Sequence, residues 1–294
     1  MATPCFICHG PAFDHLTPQY RRCLGCGHET LAAPAAQSLM LNEPLNAADA
    51  KRSSALVRFQ GGVLDRLLAG HPRRLFVDIG SGSGKFLFQQ RPNFDRVCGV
   101  EITPGAIAFS REALGLAIVT SLAEIDGEID AATAWHSLEH FPATALGPLL
   151  ATLSAKMPAG ARLIVSVPNG ASFQYRLFRS CYAFFDVANH PQQFTPESLR
   201  RLLGAHGFDR THTVVSWPYN IFGYAQALLN LFLPGHNYAY YRLKRGAPPG
   251  SAAMDVAACC LLPLVTPVAV LLAVVDAIFP AQQGVLTCGF ERRV

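Results

Sequence analysis

The chain has 294 residues, half of them hydrophobic and 15% charged, with a net charge of +4. That length holds one large domain with small additions, and so mild a charge excludes a polybasic nucleic-acid footprint while leaving a membrane surface open as a partner. The opening MATPCFICHG lacks the apolar stretch of a secretory signal, so its nine cysteines are expected to be reduced, in a cytoplasmic setting.

Cys5-x-x-Cys8 and Cys23-x-x-Cys26 form two close pairs with fourteen residues between them. Four thiolates in this pattern suit a closed tetrahedral zinc site, structural rather than catalytic because no position stays open. Gly25 and Gly27 supply the turn, and His9 and His28 stand close enough to replace one thiol. The alternative is free or redox-active thiols. Residues 1–30 are thus expected to be a zinc knuckle, and 31–52, with two prolines and little periodicity, a linker or docking segment. From Ser53 to Ala69 apolar residues fall at 56, 57, 59, 63, 64, 67 and 68, which is helical spacing ended by Gly70 and Pro72.

Leu75–Gly84, LFVDIGSGSG, is the centre of the chain. An apolar run ends in Asp78, and Gly80, Ser81, Gly82 and Gly84 follow. This reads as a buried strand turning into a helix N-terminus, where glycines let a ligand approach the backbone and free amides favour negative charge. The dinucleotide pattern G-x-G-x-x-G fails here, since its third glycine would fall on Lys85. A helix Lys85–Gln90 and a strand Val97–Val100 follow. The strand ends at Glu101, an acid placed to bind ribose hydroxyls. Next come a helix Pro104–Leu114, strands at 117–120 and 130–135, a helix 143–156 and a strand Arg162–Val167. Alternating strands and helices predict a parallel sheet covered on both faces, with ligands beyond the carboxyl ends of the strands.

The fourth strand of this series runs into His136-Ser137-Leu138-Glu139-His140. Further on stand Val167-Pro168-Asn169-Gly170, Arg176-Leu177-Phe178, His190 and Phe194-Thr195-Pro196-Glu197-Ser198-Leu199. With the D-x-G-x-G-x-G turn, this series resembles class I S-adenosylmethionine (SAM) methyltransferases. It is most similar to the ubiquinone-biosynthesis O-methyltransferase-like branch, some members of which carry a zinc knuckle in front. The resemblance covers 53–217 and 284–293. It implies an α/β, Rossmann-like seven-stranded sheet in which the last strand inserts antiparallel beside the sixth. It also implies that Glu101 holds the ribose of SAM, that Ile102 lies against the adenine, and that Ser121 and Leu122 stand at the adenine edge. Where the branch shows His-Leu-x-His-Phe, this chain has Gln193 in place of the second His.

Methyl transfer to oxygen or nitrogen needs a proton removed, and His is the usual base near neutral pH. His136 and His140 share a face if a helix begins there. One reading makes His140 or His190 the base. A second makes Glu139, His140 and His190 ligands of a divalent metal, as the resemblance implies for Glu-x-x-Glu-His relatives, with His136 replacing the first Glu. A third leaves these side chains to shape the pocket.

Some sixty residues separate the sixth and seventh strands. Ile221–Pro234 is apolar, Tyr238–Arg245 is basic and tyrosine-rich, and 256–275 contains no charge between Asp255 and Asp276. Because the flanking strands must pair on one side of any membrane, a single crossing is excluded. A partner crossing at 221–234 would be about 21 Å long, too short for a bilayer core, and Pro263 and Pro267 are expected to break the longer run. The expectation is therefore a helical hairpin at 219–283 lying in one leaflet, the alternative being a lid or protein-contact surface. The whole reads as a SAM methyltransferase acting on a hydrophobic or lipid-linked small molecule. RNA as substrate is disfavoured by the absence of a basic, aromatic-interleaved patch. A non-catalytic SAM-binding subunit is the remaining alternative.

Overall fold

In the computed structural model, residues 4–10, 13–15, 19–32, 45–245 and 252–293 are described. Three short strands come first: β1 (Phe13–His15), β2 (Tyr20–Cys23) and β3 (Glu29–Leu31). Part of the expected linker is helical. Asn46 accepts from the amides of Ala48 and Asp49 and so starts α1 (Ala47–Lys51); positions 33–44 lie outside the described residues. Ser54 caps α2 (Ala55–Leu67) in the same manner.

The alternating region then unfolds as β4 (Leu75–Ile79), α3 (Lys85–Gln90), β5 (Arg96–Val100), α4 (Pro104–Leu114), β6 (Ile118–Val119), β7 (Ala131–Trp135), α5 (Ala143–Lys156), β8 (Arg162–Pro168) and α6 (Phe173–Phe178). After β9 (Gln192–Gln193), α7 (Pro196–Ala205) and β10 (Phe208–Val214) come three helices, α8 (Trp217–Phe232), α9 (Tyr238–Arg245) and α10 (Ala252–Ile278), and finally β11 (Val285–Arg292). The main sheet has seven strands in the order β10-β11-β8-β7-β4-β5-β6. Strands β4 to β8 run parallel, and β11 pairs antiparallel with both β8 and β10.

Side chains alternate faces along a strand, so β4 feeds two cores. Leu75, Val77 and Ile79 pack with Leu146, Leu150 and Leu153 of α5 and Leu199 and Leu203 of α7. Phe76 points the other way, onto Val63 and Leu64 of α2 and Phe86 and Leu87 of α3. The sheet is thereby covered on both faces, and the carboxyl ends of its parallel strands are left to carry the site.

The knuckle is not a separate unit. Its strands form a four-stranded sheet, β1-β2-β3-β9, whose last member belongs to the large domain. Glu29 pairs with Gln193 and Thr30 with Gln192, antiparallel.

In the insert, α8 and α10 pack antiparallel. Tyr224 and Ala227 meet Ala269 and Ala273, and Leu229 and Leu233 meet Val265. Helix α8 starts at Trp217, two residues ahead of the expected boundary at 219. Contrary to the sequence reading, Pro263 and Pro267 do not break α10, which is continuous for 27 residues. The two prolines are four apart and both exposed, so the two lost hydrogen bonds fall on one face away from α8. Only Val265, Ala269, Ala273 and Asp276 of this helix are buried. Around them Leu262, Leu264, Val268, Leu271, Val274 and Ile278 are exposed. Helix α10 is long and apolar enough to cross a membrane by length and composition.

Candidate active site

The glycine turn sits between β4 and α3, at the carboxyl edge of the sheet. Gly80, Gly82 and Gly84 all have positive φ, at 73°, 54° and 71°, where a side chain is strained. At Gly80 an added Cβ would lie 2.5 Å from Cβ of Ser137, so the turn also passes directly beside the loop that follows β7. Asp78 is buried beneath the turn and accepts a 2.6 Å hydrogen bond from the Thr133 hydroxyl. Burial raises its carboxyl to about 7, with the charge of Glu101 adding to the effect.

Glu101, at the end of β5, folds back onto the same turn. It accepts from the amide of Gly82 at 2.8 Å and from those of Ile102 and Thr103 at 2.8 Å. Ile102 beside it is 54% exposed, open to a flat ligand. Lys85, the first residue of α3, pairs at 3.0 Å with Asp49, which brings α1 over this edge. Two expected adenine-edge residues are otherwise engaged. The Ser121 hydroxyl caps the turn that follows, accepting from the Ala123 amide, and the Leu122 side chain is buried in the core. Backbone alone is left at position 122 to meet a ligand. The glycine backbone, the strand-end acid Glu101 and the open Ile102 fit an adenosyl group carrying ribose hydroxyls.

Beyond β7 no α-helix begins at His136. His136 takes φ 49° and Leu138–His140 form a single 3₁₀ turn, so His136 and His140 are not stacked on a helix face. His136 instead lies against Tyr219 of α8, with ring centroids 4.4 Å apart, and is stacked on Phe184 at 5.6 Å. Its Nδ1 approaches Glu139 to 3.2 Å. Glu139 is completely buried, and neither of its carboxylate oxygens makes a hydrogen bond. Burial alone would raise its pKa, but His136 first and then His140 and His190 outweigh that and hold it below the usual carboxylate range.

Glu139, His140 and His190 converge, with one donor atom from each within 4.8 Å of the others. The rings of His140 and His190 meet edge to face at 4.8 Å. Nδ1 of His140 is 2.8 Å from the carbonyl of Asn189, and Nδ1 of His190 is 2.9 Å from that of Phe184. A carbonyl only accepts, so both rings carry a proton on Nδ1, and the neutral form of each has its lone pair on Nε2. Burial, with the nearby His140 adding to it, lowers His190 to about 4, and it is neutral near pH 7.

The four knuckle cysteines also converge, again with donor atoms within 4.8 Å of one another. Neither histidine joins them. His28 is buried and its Nε2 bonds Gln192 Oε1 at 2.7 Å, while His9 is exposed. The donor set is therefore four sulfurs, which fits zinc.

Sequence reasoning missed Tyr219, Phe184, Asn189 and Thr133. Thr133 was legible in principle, because the register sets it opposite Asp78. The other three come from segments far from β7 in sequence, and no local pattern marks them.

A glycine turn and an acid at adjoining strand ends of a seven-stranded sheet with one antiparallel strand define a SAM-dependent methyltransferase. A family model described as a methyltransferase domain matches residues 54–213, and the chain belongs to that family. Among solved structures, the mycolic acid cyclopropane synthase complexed with SAH and CTAB is similar at 12% identity and a TM-score of 0.52, over 81% of this chain and 86% of that one. A candidate sarcosine dimethylglycine methyltransferase from Galdieria sulphuraria is similar at 12% identity and a TM-score of 0.52, over 85% and 92%. At such identities the likeness is one of fold. Comparison with curated proteins gives no match.

Proposed function

We propose that the protein transfers a methyl group from SAM to an oxygen, or a nitrogen, of a hydrophobic or lipid-linked small molecule at a membrane surface, on the cytoplasmic face. The observation that carries this reading is the course of α8. Its first turn sets Tyr219 against His136, and its length packs against α10, whose outer side is apolar and exposed. One element thus connects the reacting histidines to the surface from which an apolar substrate would arrive. Phe184, Phe222 and Tyr240 continue as ring contacts at 6.2 and 5.4 Å from the His136 stack toward α9, and suit an apolar chain. Residues 53–218 and 284–294 are assigned to the catalytic domain and 219–283 to the membrane-facing insert, with α8 shared between them.

SAM supplies an electrophilic methyl group on a sulfonium. In this reading the turn at Gly80, Ser81, Gly82 and Gly84, above Asp78, receives the amino-acid end of SAM, and Glu101 takes the ribose hydroxyls. Ile102 and the backbone at Ser121 and Leu122 border the adenine. His140, through Nε2, accepts the proton of the acceptor group, and Asn189 fixes its tautomer. His190, held near 4, is too weak a base to be first choice, and it orients His140 by ring contact. His136 and Tyr219 form a wall of the acceptor pocket.

A second reading is favoured by one observation. A buried carboxylate is costly, and Glu139, fully buried with Nδ1 of His136 3.2 Å away, stands beside two imidazoles whose Nδ1 atoms are committed to carbonyls. Glu139, His140 and His190 fit a divalent cation, with His136 as a further nitrogen. Loss of activity on chelation, restored by Mg²⁺ or Mn²⁺, distinguishes this from the base reading.

The test is transfer of labelled methyl from SAM to cell extract separated into lipid, small-molecule and RNA fractions, with Asp78→Ala as the blank. Label in the lipid fraction is expected. Label confined to RNA overturns the substrate class, and no label with SAM still bound identifies a non-catalytic SAM-binding subunit.

A further inference from the structure

The segment between α6 and α7 carries Phe184, Asn189 and His190, yet beyond a single 3₁₀ turn at Arg179–Cys181 its regular structure is the two-residue strand β9. Its first half is held by the insert, Asn237 donating to the carbonyl of Ala183 and Tyr241 to Asp186; its second half, from Asn189 onward, is held by the knuckle. Strand β3 pairs with β9, and the amide of Leu31 donates to the carbonyl of Pro191 at 3.1 Å. The buried Tyr20 hydroxyl donates at 2.7 Å to the carbonyl of His190 itself. His28, two residues from Cys26, reaches Gln192, and Thr195 Oγ1 donates to the carbonyl of Cys26 at 2.8 Å. The carbonyls of Asn189 and His190 are adjacent: one accepts the Nδ1 proton of His140, the other the hydroxyl of the knuckle's Tyr20.

We infer that the four-cysteine knuckle is a positioning device for the catalytic centre, with Tyr20 and His28 as positioning residues. It holds the His190–Pro191 peptide in place and, through the neighbouring carbonyl of Asn189, the ring of His140. A knuckle of this size folds around its metal and loosens without it. Loss of zinc, or oxidation of its thiols, therefore slows methyl transfer while the glycine turn and Glu101, on the far side of β7, keep their hold on SAM. The inference rests on the assignment of His140 and His190 to the acceptor site.

The test uses the full chain with zinc bound and compares wild type, Tyr20→Phe, His28→Leu and His140→Ala. Zinc content, SAM affinity by calorimetry, methyl transfer across pH and hydrogen exchange of residues 184–195 are read for each. For Tyr20→Phe the expectation is unchanged zinc, SAM affinity within about twofold, and kcat lower by about tenfold, because small misplacements of a catalytic group are costly. The acidic limb of its pH profile, where the general base loses its proton, moves, and exchange at 186–193 rises. His28→Leu shows the same pattern. Zinc removal by chelation gives the larger version, reversed on adding zinc back. Unchanged exchange at 186–193 in Tyr20→Phe and in the zinc-depleted protein overturns the positioning role. If His140→Ala keeps full activity, the catalytic assignment fails instead, and the exchange data still decide whether the knuckle holds this segment.

Discussion

Asp78 is buried under the glycine turn with one hydroxyl partner, and burial lifts its carboxyl to about 7. An unfolded Asp titrates near 3.9. Between those values the folded chain keeps a proton that the unfolded chain has released, so Asp78 costs stability progressively as pH rises from about 4 to 7. Above pH 7 the full cost is roughly 4 kcal/mol. Asp78→Asn keeps the bond from Thr133 and removes the titration. In urea denaturation the variant should match wild type near pH 4 and exceed it by several kcal/mol at pH 8; a difference independent of pH would contradict this. Two glycines give a second residue-scale contrast. Gly80→Ala meets a positive φ and Ser137 at 2.5 Å, and should weaken SAM binding at least tenfold in calorimetry, since strain there is of order 1–3 kcal/mol. Gly62, inside α2, faces open space, and Gly62→Ala should raise stability by about 0.5–1 kcal/mol with SAM affinity unchanged. The sequence marked the glycines and both acids because the turn and the strand ends carry them in order. It did not mark Asn189 or Tyr219, which act through a backbone carbonyl and a ring face brought in by other segments.

Among the elements, α7 shows local sequence and tertiary contact meeting in one atom. Thr195 Oγ1 accepts from the amide of Ser198 and donates to the carbonyl of Cys26. Losing both should cost about 2 kcal/mol in Thr195→Ala by chemical denaturation, with most of it recovered in Thr195→Ser. The cap was readable from Thr-Pro-Glu, whereas the bond to the knuckle was not. Helix α10 is the opposite case. The proline rule that argued for a break assumes that freed carbonyls must be re-paired by an intact helix. Here both prolines face outward, four apart, and the carbonyls they free, of Cys259 and Pro263, belong to exposed residues. The 3₁₀ turn after β7 also escaped sequence reading, because His136 adopts a left-handed backbone that no pattern of side chains announces.

For the whole molecule, the exposed side of α10 sets the expected behaviour. Leu264 and Leu271 of α10 are 69% and 65% exposed, and Phe232 of α8 is 65% exposed. The protein should float with anionic phospholipid vesicles, and Leu264→Asp with Leu271→Asp should abolish flotation while SAM affinity stays unchanged. Flotation that survives both changes would move the contact elsewhere.

The placement of β11 has a consequence for biosynthesis. This strand lies between β8 and β10, yet it follows the α8–α10 hairpin along the chain. While the polypeptide emerges from the ribosome, β8 can pair with β7 on one side only and β10 has no neighbour in the sheet until the hairpin is out. The apolar helices are therefore exposed to the cell before the sheet can close, and a growing chain near a lipid surface meets it as a half-built enzyme. If the insert meets the membrane as proposed, targeting would then precede activity, with the fold itself delaying competence until the hairpin has been delivered.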